Sequence, residues 1–550
     1  MKILLYKMGV RLLLLFAVMV LINACKKEAE ILPAPRLFKA SEINIVSGTT
    51  SAKLKWAIPL FSLGKAIKYT VDFSKDQAFT TIVFTKVVDT AGITVTDDNL
   101  TTRTPYFVRI KANAYEDQPE SKYVLGANSF SLTGVQLFLP VRDAEIRETS
   151  VTIRYMPATD LTAIKLTPAT GTATTVALTA ADAAAGLKVI SGLSGGIKYD
   201  ADLLAGTKSK GIISFTTLAV TTYTVKISPT DDLAATIVTA ANGAVIGLDP
   251  GTYNLTAVNT FITQKSITLK STSGTPTDTK VNFKEIDIEG TGAGITLSGI
   301  ELDGTAATSL YFINFIGSQA INSAAATFTN IIIDNCIIHG ATTSFMRADR
   351  GAAARDFKIG NITVNNSIVY DMGSNGSSAY YTFHLNKMEF NALNIFKSTF
   401  YNSGPGLITA STTYSGNVIP SVNISYSTFN GFGGNAKYAL LDANANQVNF
   451  SLTNSIVANT PKSGTVVAAA IRSSGAGITT TFSYNNTFNL YNALTGNLAL
   501  TFPATVTQTA NQTIDLGWTA NTVDFTLPLG STLRTASNTA TAIGDPRWTY

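Results

Sequence analysis

The sequence predicts an all-β protein in which two small antiparallel sandwiches precede a long parallel β-helix. Three observations carry this reading. Short stretches such as Lys53-Leu54-Lys55-Trp56 and Tyr106-Phe107-Val108-Arg109-Ile110-Lys111-Ala112 alternate apolar and polar residues with period two, as half-buried antiparallel strands do. From residue 295 onward, a motif of β-branched pairs and polar turns recurs at a spacing of roughly thirty residues, one supersecondary unit per repeat. Charged residues make up only 14% of the 550 positions while 45% are hydrophobic, against about 25% charged in ordinary soluble proteins. Stacked coils rich in Ser, Thr, Asn and Ala have this composition. A net charge of +5 with no dense basic cluster excludes a nucleic-acid binder. Two cysteines exclude a disulfide scaffold and a multi-cysteine zinc site.

The chain opens with Lys2, Lys7 and Arg11, followed by uninterrupted apolar residues from Leu12 to Ile22. Such a run rises only about 16 Å as a helix, about half of a bilayer core, so it reads as a signal-peptide h-region and not a span. The sequence Ile22-Asn23-Ala24-Cys25 resembles the lipobox of bacterial lipoproteins. The resemblance implies a signal peptide over 1–24, diacylation of Cys25, a lipidated linker over 25–36 and attachment to a membrane without a spanning helix. Lys26-Lys27-Glu28-Ala29-Glu30 is similar to the export tag of surface lipoproteins in Bacteroidetes-type bacteria, which implies an outer-membrane location at the cell surface. Loss of Lys2, Lys7 and Arg11 with the leader would leave a net charge of +2.

Residues 37–137 carry the first set of alternating strands. Leu100, Thr104 and Tyr106 resemble the tyrosine corner of fibronectin type III domains, with Trp56 as the core tryptophan of an early strand. A second unit over 138–220 places Tyr155 in the position of Trp56, and Leu193 precedes Tyr199 as Leu100 precedes Tyr106. Both units read as spacers or binding modules.

Residues 221–550 form the repeat region. Thr230 is expected to cap a short helix with Asp231 and Asp232 in its first turn and Leu233, Ile237 and Ala240 on its buried stripe, ending at Asn242-Gly243. The helix and the following Ile246-Gly247-Leu248-Asp249-Pro250-Gly251-Thr252-Tyr253 resemble the N-terminal cap and first coil of right-handed parallel β-helices of the pectate-lyase type. The repeats Ile295–Leu302, Ile331–Ile338, Ile362–Val369, Leu393–Phe400, Val422–Phe429 and Phe450–Val457 then place anchors at Ile300, Cys336, Ser367, Ser398, Ser427 and Ser455, with a looser seventh at Asn486. The anchor column points inward, which makes Cys336 a packing residue.

Adjacent coils stack about 4.8 Å apart, so a column of the repeat becomes a row of side chains. The column three positions after each anchor reads Asp303, His339, Tyr370, Tyr401, Asn430 and is expected to face outward. Such a row offers stacking surface and hydrogen bonds to sugar rings, and would equally serve as an aromatic ladder that stiffens the sheet. The next strand offers a second row of Arg347, His384, Asp442 and Arg472. Arg347, Arg350, Arg355 and Lys358 form a basic cluster that could pair with uronate carboxylates or remain as solvated turn charges. Glycan binding is therefore expected at Asp303, His339, Tyr370, Tyr401, Asn430, Arg347 and His384. No residue set is assigned a catalytic role; a metal-free elimination would draw on His339 and Tyr370 with Arg347. The densest acids, Glu285, Asp287, Glu289, Glu301 and Asp303, are expected to lie away from the basic cluster, so no metal site and no cofactor is expected.

The ending Gly544-Asp545-Pro546-Arg547-Trp548-Thr549-Tyr550 resembles the terminal motif of lipid-anchored β-helix proteins of unknown function found with polysaccharide-utilisation systems. Physically, Trp548 is expected to plug the last coil. The resemblance implies capture of a polysaccharide at the cell surface, pectin or another uronate-containing plant glycan, for uptake, with an outer-membrane glycan transporter as partner. Two other functions remain open: a metal-independent polysaccharide lyase, and an adhesin or structural scaffold.

Overall fold

The computed structural model describes residues 2–23, 35–353, 356–412, 419–444, 446–473, 475, 477–495 and 498–550. The leader forms a helix over Lys2–Asn23. Among the described residues, no helix is long and apolar enough to cross a membrane. Cys25 and Arg355 lie outside the described residues.

Period-two alternation builds the first sandwich. Asn44–Ser47, Ser51–Lys55 and Gly92–Thr96 form one antiparallel sheet, and Phe84–Val88, Tyr69–Ser74, Phe107–Ala112 and Val124–Leu125 the other. Leu54, Val71, Phe73 and Ile110 close the core between them. The Tyr106 hydroxyl accepts the Thr101 amide at 3.1 Å, the corner its spacing predicts. In the second sandwich the Tyr199 hydroxyl accepts the Ser194 amide at 2.9 Å, and Tyr155 sits in the core. These are two fibronectin type III-like sandwiches in series. Arg103 donates to Ser209 and Lys208 pairs with Asp97 and Asp98, so polar contacts join them.

A short helix, Leu233–Thr239, opens the β-helix with Leu233 and Ile237 buried. Its N-cap is Asp232, whose side chain accepts the Ala235 amide, and not Thr230; Asp231 instead holds the Ser228 turn. The chain then winds through three parallel sheets of twelve, nine and eight strands, called here the first, second and third. Each coil visits them in that order, as in Ile331–Asp334, Ile337–His339 and Ser344–Arg347. Aromatic side chains stack along the interior, with Phe345 5.3 Å from Phe312 and from Phe383, and Phe400 5.5 Å from Phe429.

The turn between the first and second sheets explains the anchors. Asn335, Asn366, Lys397, Tyr426, Asn454 and Tyr484 all have positive φ, and the next residue turns inward. Buried there, the amides of Cys336, Ser367, Ser398 and Ser427 would be orphaned. Each donates instead to the serine oxygen of the following coil, and the serine hydroxyls donate to carbonyls two residues earlier. The ladder continues from Ser455 to Asn485 and then Asn511, so the seventh anchor is Asn485, one residue before Asn486. Asparagine keeps the hydrogen bond there while tolerating a different shape. Burial pushes the Cys336 thiol up to about 12, consistent with a packing role.

The C-terminal segment departs from expectation. Trp548 does not plug the last coil. The chain folds back along the outside of the second sheet, where Phe525, Trp518 and Trp548 pack over Ile456 and Phe488. Trp548 Nε1 donates to Thr399, the Asp545 carboxylate accepts from the same hydroxyl, and Arg547 donates to the Asn366 carbonyl. Gly544, at φ 82°, lies where a Cβ would meet Ile456 at 2.9 Å, so the motif needs glycine there. Arg142 of the second sandwich donates to the Tyr550 carbonyl at 2.7 Å, and Asp143 pairs with Lys397. The returning segment thereby links the sandwich to the middle coils.

Candidate functional site

Strand register places Asp303, His339, Tyr370, Tyr401 and Asn430 in one row on the second sheet. His339 stacks on Tyr370 at 4.6 Å, and Tyr370 on Tyr401 at 4.9 Å. The row is not open along its length. His339 is 9% exposed and Asn430 fully buried, its amide donating to the Thr519 carbonyl under the returning segment. Tyr401 packs against Phe525. The expectation of an outward-facing row therefore fails at its far end, because the chain supplies its own cover there. At the near end, Glu301, Asp303 and His339 bring potential ligand atoms within 4.8 Å of one another. Lys280 already stands among them, 3.2 Å from Glu301 and 2.6 Å from Asp303. Burial acts to raise the Asp303 carboxyl, but hydrogen bonds from Lys280 and Thr305 outweigh it and hold it at about 2. The Lys280 ammonium thus occupies the cluster and offsets part of its charge, and a divalent ion would have to displace it.

The third sheet carries denser chemistry. Ile313, Met346, Phe383, Ile408, Leu441 and Ile471 point inward in register, so their neighbours Asn314, Arg347, His384, Thr409, Asp442 and Arg472 point away from the core in a second row, in which Asn314, Thr409 and Asp442 are themselves buried beneath the coil connections. Thr409 fills the gap that the sequence leaves between His384 and Asp442. The Arg347 guanidinium lies 5.0 Å from the Tyr311 ring and 5.5 Å from the Tyr380 ring, and donates to the Tyr311 hydroxyl at 3.0 Å. Tyr380 stacks on His384 at 4.6 Å. Asp349 joins these two side chains, 2.6 Å from Arg347 and 3.3 Å from His384. Burial opposes its charge, yet hydrogen bonds from His384 and Arg347 hold its carboxyl well below the usual range. Among the described residues, His384 Nδ1 is buried without a hydrogen-bond partner. Farther along, Arg472 pairs with Asp442 at 2.7 Å and covers the Tyr438 ring at 4.5 Å.

Two acids complete this site. Asp287 stands in the same row before Asn314 and accepts from the amides of Asn259 and Asn314. Burial, and then the charge of Asp287, push the Glu285 carboxyl up to about 7. Arg350 acts on both acids and donates to Asn314 at 3.1 Å. The expected separation of these acids from the basic cluster is thus wrong: the coil closes over itself, and residues about sixty apart in sequence meet across two coils. Lys358 belongs elsewhere, on the first sheet beside Glu389. Arg347 neighbours His384, not His339 and Tyr370, so the elimination set anticipated from sequence is divided between two sheets.

Sequence reasoning missed Tyr311, Asp349, Tyr380 and Tyr438. Tyr311 opens the strand Tyr311–Ile316, and its place two coils from Tyr380 follows only from register. Asp349, Tyr380 and Tyr438 lie in connections of irregular length, where periodicity gives no alignment.

Fold and site together define a chain of fibronectin type III-like sandwiches joined to a parallel β-helix, an architecture consistent with a surface binding or scaffold role. A domain family of unknown function (DUF4957) matches residues 251–403, the stretch that holds Glu285, Asp287, Arg347, Tyr380 and His384. No curated protein matches the chain. Similar solved structures include a two-domain fibronectin type III segment of chicken tenascin, 16% identical over 32% of this chain and 98% of that one, with a TM-score of 0.17. The FN1–FN3 domains of chicken CNTN1 are 15% identical over 34% of this chain and 66% of that one, with a TM-score of 0.15. The central fibronectin III array of RIM-binding protein is 15% identical over 34% and 64%, with a TM-score of 0.13.

Proposed function

We propose that this protein is a cell-surface lipoprotein, anchored in the outer membrane through Cys25, that binds a uronate-containing polysaccharide on the third sheet of its β-helix. The observation that carries this reading is the Arg347 guanidinium set against both the Tyr311 and Tyr380 rings, with His384 stacked on Tyr380. A guanidinium pairs with a carboxylate in a forked geometry, and tyrosine faces accept the apolar C–H side of a sugar ring. Burial raises the Glu285 carboxyl to about 7, which lowers its negative charge and with it the repulsion of a polyanion. The sandwiches would hold this face away from the membrane and present glycan to an outer-membrane transporter.

The test is retention of the purified protein on affinity gels cast with pectins, glycosaminoglycans or alginate. Retention on at least one uronate polymer, lost in Arg347→Gln and Tyr380→Ala, supports the reading. Equal retention of wild type and both variants, or none on any polymer, contradicts it and favours the scaffold. A second reading, metal-independent cleavage by elimination, draws on His384 and on Glu285, whose carboxyl burial pushes up to about 7. Growth of ultraviolet absorbance from unsaturated uronate, abolished by His384→Ala, would establish it.

A further inference from the structure

The first sandwich carries a surface that its own fold does not explain. Phe38 is 57% exposed and stacks at 5.3 Å on Phe61, itself 71% exposed. Leu60 at 75%, Leu63 at 58% and Ile58 at 39% complete the patch. The short turn Leu60–Ser62 is inside out: Ser62 is 3% exposed while Leu60 and Phe61 face outward. Pro59 starts the turn, and its carbonyl accepts the Ser62 amide at 2.8 Å, which fixes this orientation. Single exposed apolar residues are ordinary, but five in one patch indicate something that covers them.

The chain itself points to what covers it. Phe38 lies only thirteen residues after Cys25, where the acyl chains proposed above enter the membrane. Thirteen residues can span at most about 45 Å, so the patch stays within that distance of the lipid surface. Backbone and side-chain bonds between Ser41 and Ala57 pin the entering chain beside the patch. We propose that Phe38, Ile58, Leu60, Phe61 and Leu63 are where the first sandwich rests on the lipid surface. The inference rests on the membrane attachment proposed above. It adds that the sandwich is docked on the bilayer and does not swing free on its linker, which sets the direction in which the β-helix projects.

The test uses the mature acylated protein, purified from membranes and carrying Phe61→Trp, an exposed position where an indole fits, reconstituted with phosphatidylethanolamine–phosphatidylglycerol vesicles with and without brominated acyl chains. Flotation reports attachment; quenching beyond that of the wild-type tryptophans reports docking. The expected result is co-flotation with a blue-shifted, quenched indole at position 61. Adding Leu60→Ser and Leu63→Ser should lower the ratio of docked to undocked chains at least about tenfold, with an unchanged melting curve. Co-flotation with an unquenched indole overturns the docking and leaves the attachment standing; absence of flotation overturns both. A concentration-dependent dimer abolished by the serine substitutions also overturns the proposal, with a second copy as the occupant.

Discussion

The second and third sheets of the β-helix share their backbone, their spacing and their interior, yet they have been used differently. On the second sheet the row begins in an ion-paired cluster of Lys280, Glu301, Asp303 and His339 and ends beneath the returning C-terminal segment. On the third sheet the outward row meets Tyr311, Asp349, Tyr380 and Tyr438, which build a mixed site of cations, rings and acids. The difference teaches that a ladder of aromatic and polar residues becomes a site or a support according to what the connections between coils lay over it.

The comparison can be broken most severely at the cover. Phe525 is fully buried between Tyr401, Trp518 and Trp548. Phe525→Ala should destabilise the protein by about 3–5 kcal/mol in chemical denaturation and make Tyr401 reactive to nitration. Nitration as slow as in the wild type would show that the segment does not depend on this packing.

A smaller effect is expected on the third sheet. Arg347→Gln removes a charged donor and should weaken uronate binding by about 1.5–3 kcal/mol, read as retention, while Tyr370→Ala leaves retention within about twofold. The pH dependence sharpens the same contrast. Glu285 is raised in the folded state from 4.5 to about 7. Between these values the folded protein binds more protons than the unfolded one, so its contribution to stability is present below about pH 4.5 and is lost as pH rises through about 7. Glu285→Gln should flatten that fall in a series of melting curves, and should make retention less dependent on pH over the same window. The smallest effect is expected from divalent cations. With Lys280 resident among Glu301, Asp303 and His339, added calcium or zinc should leave the melting temperature unchanged, whereas Lys280→Met should let zinc raise it.

Much of this was legible in the sequence because stacked coils convert spacing into geometry. The serine anchors and the register of both rows follow from periodicity, since register in a β-helix advances one coil per repeat, whereas the tyrosine corners were legible through their resemblance to those of fibronectin type III domains. What was not legible depends on contacts without a period. Trp548 lies against Thr399 because the chain reverses after the last coil, and no local pattern announces a reversal. Asn430 is buried by Thr519, eighty-nine residues later. Glu285 and Arg350 come together because loops of unequal length close over the third sheet. Asp232, not Thr230, caps the helix because the Ser228 turn uses Asp231.

The most direct test sets the two rows side by side: retention on a uronate polymer of the wild type, Arg347→Gln and Tyr370→Ala, each with its melting curve. The third-sheet account predicts that Arg347→Gln loses retention while still melting cooperatively, at a lower temperature because Asp349 loses its partner, and that Tyr370→Ala keeps retention. Loss of retention in Tyr370→Ala alone would contradict the account and return the site to the second sheet.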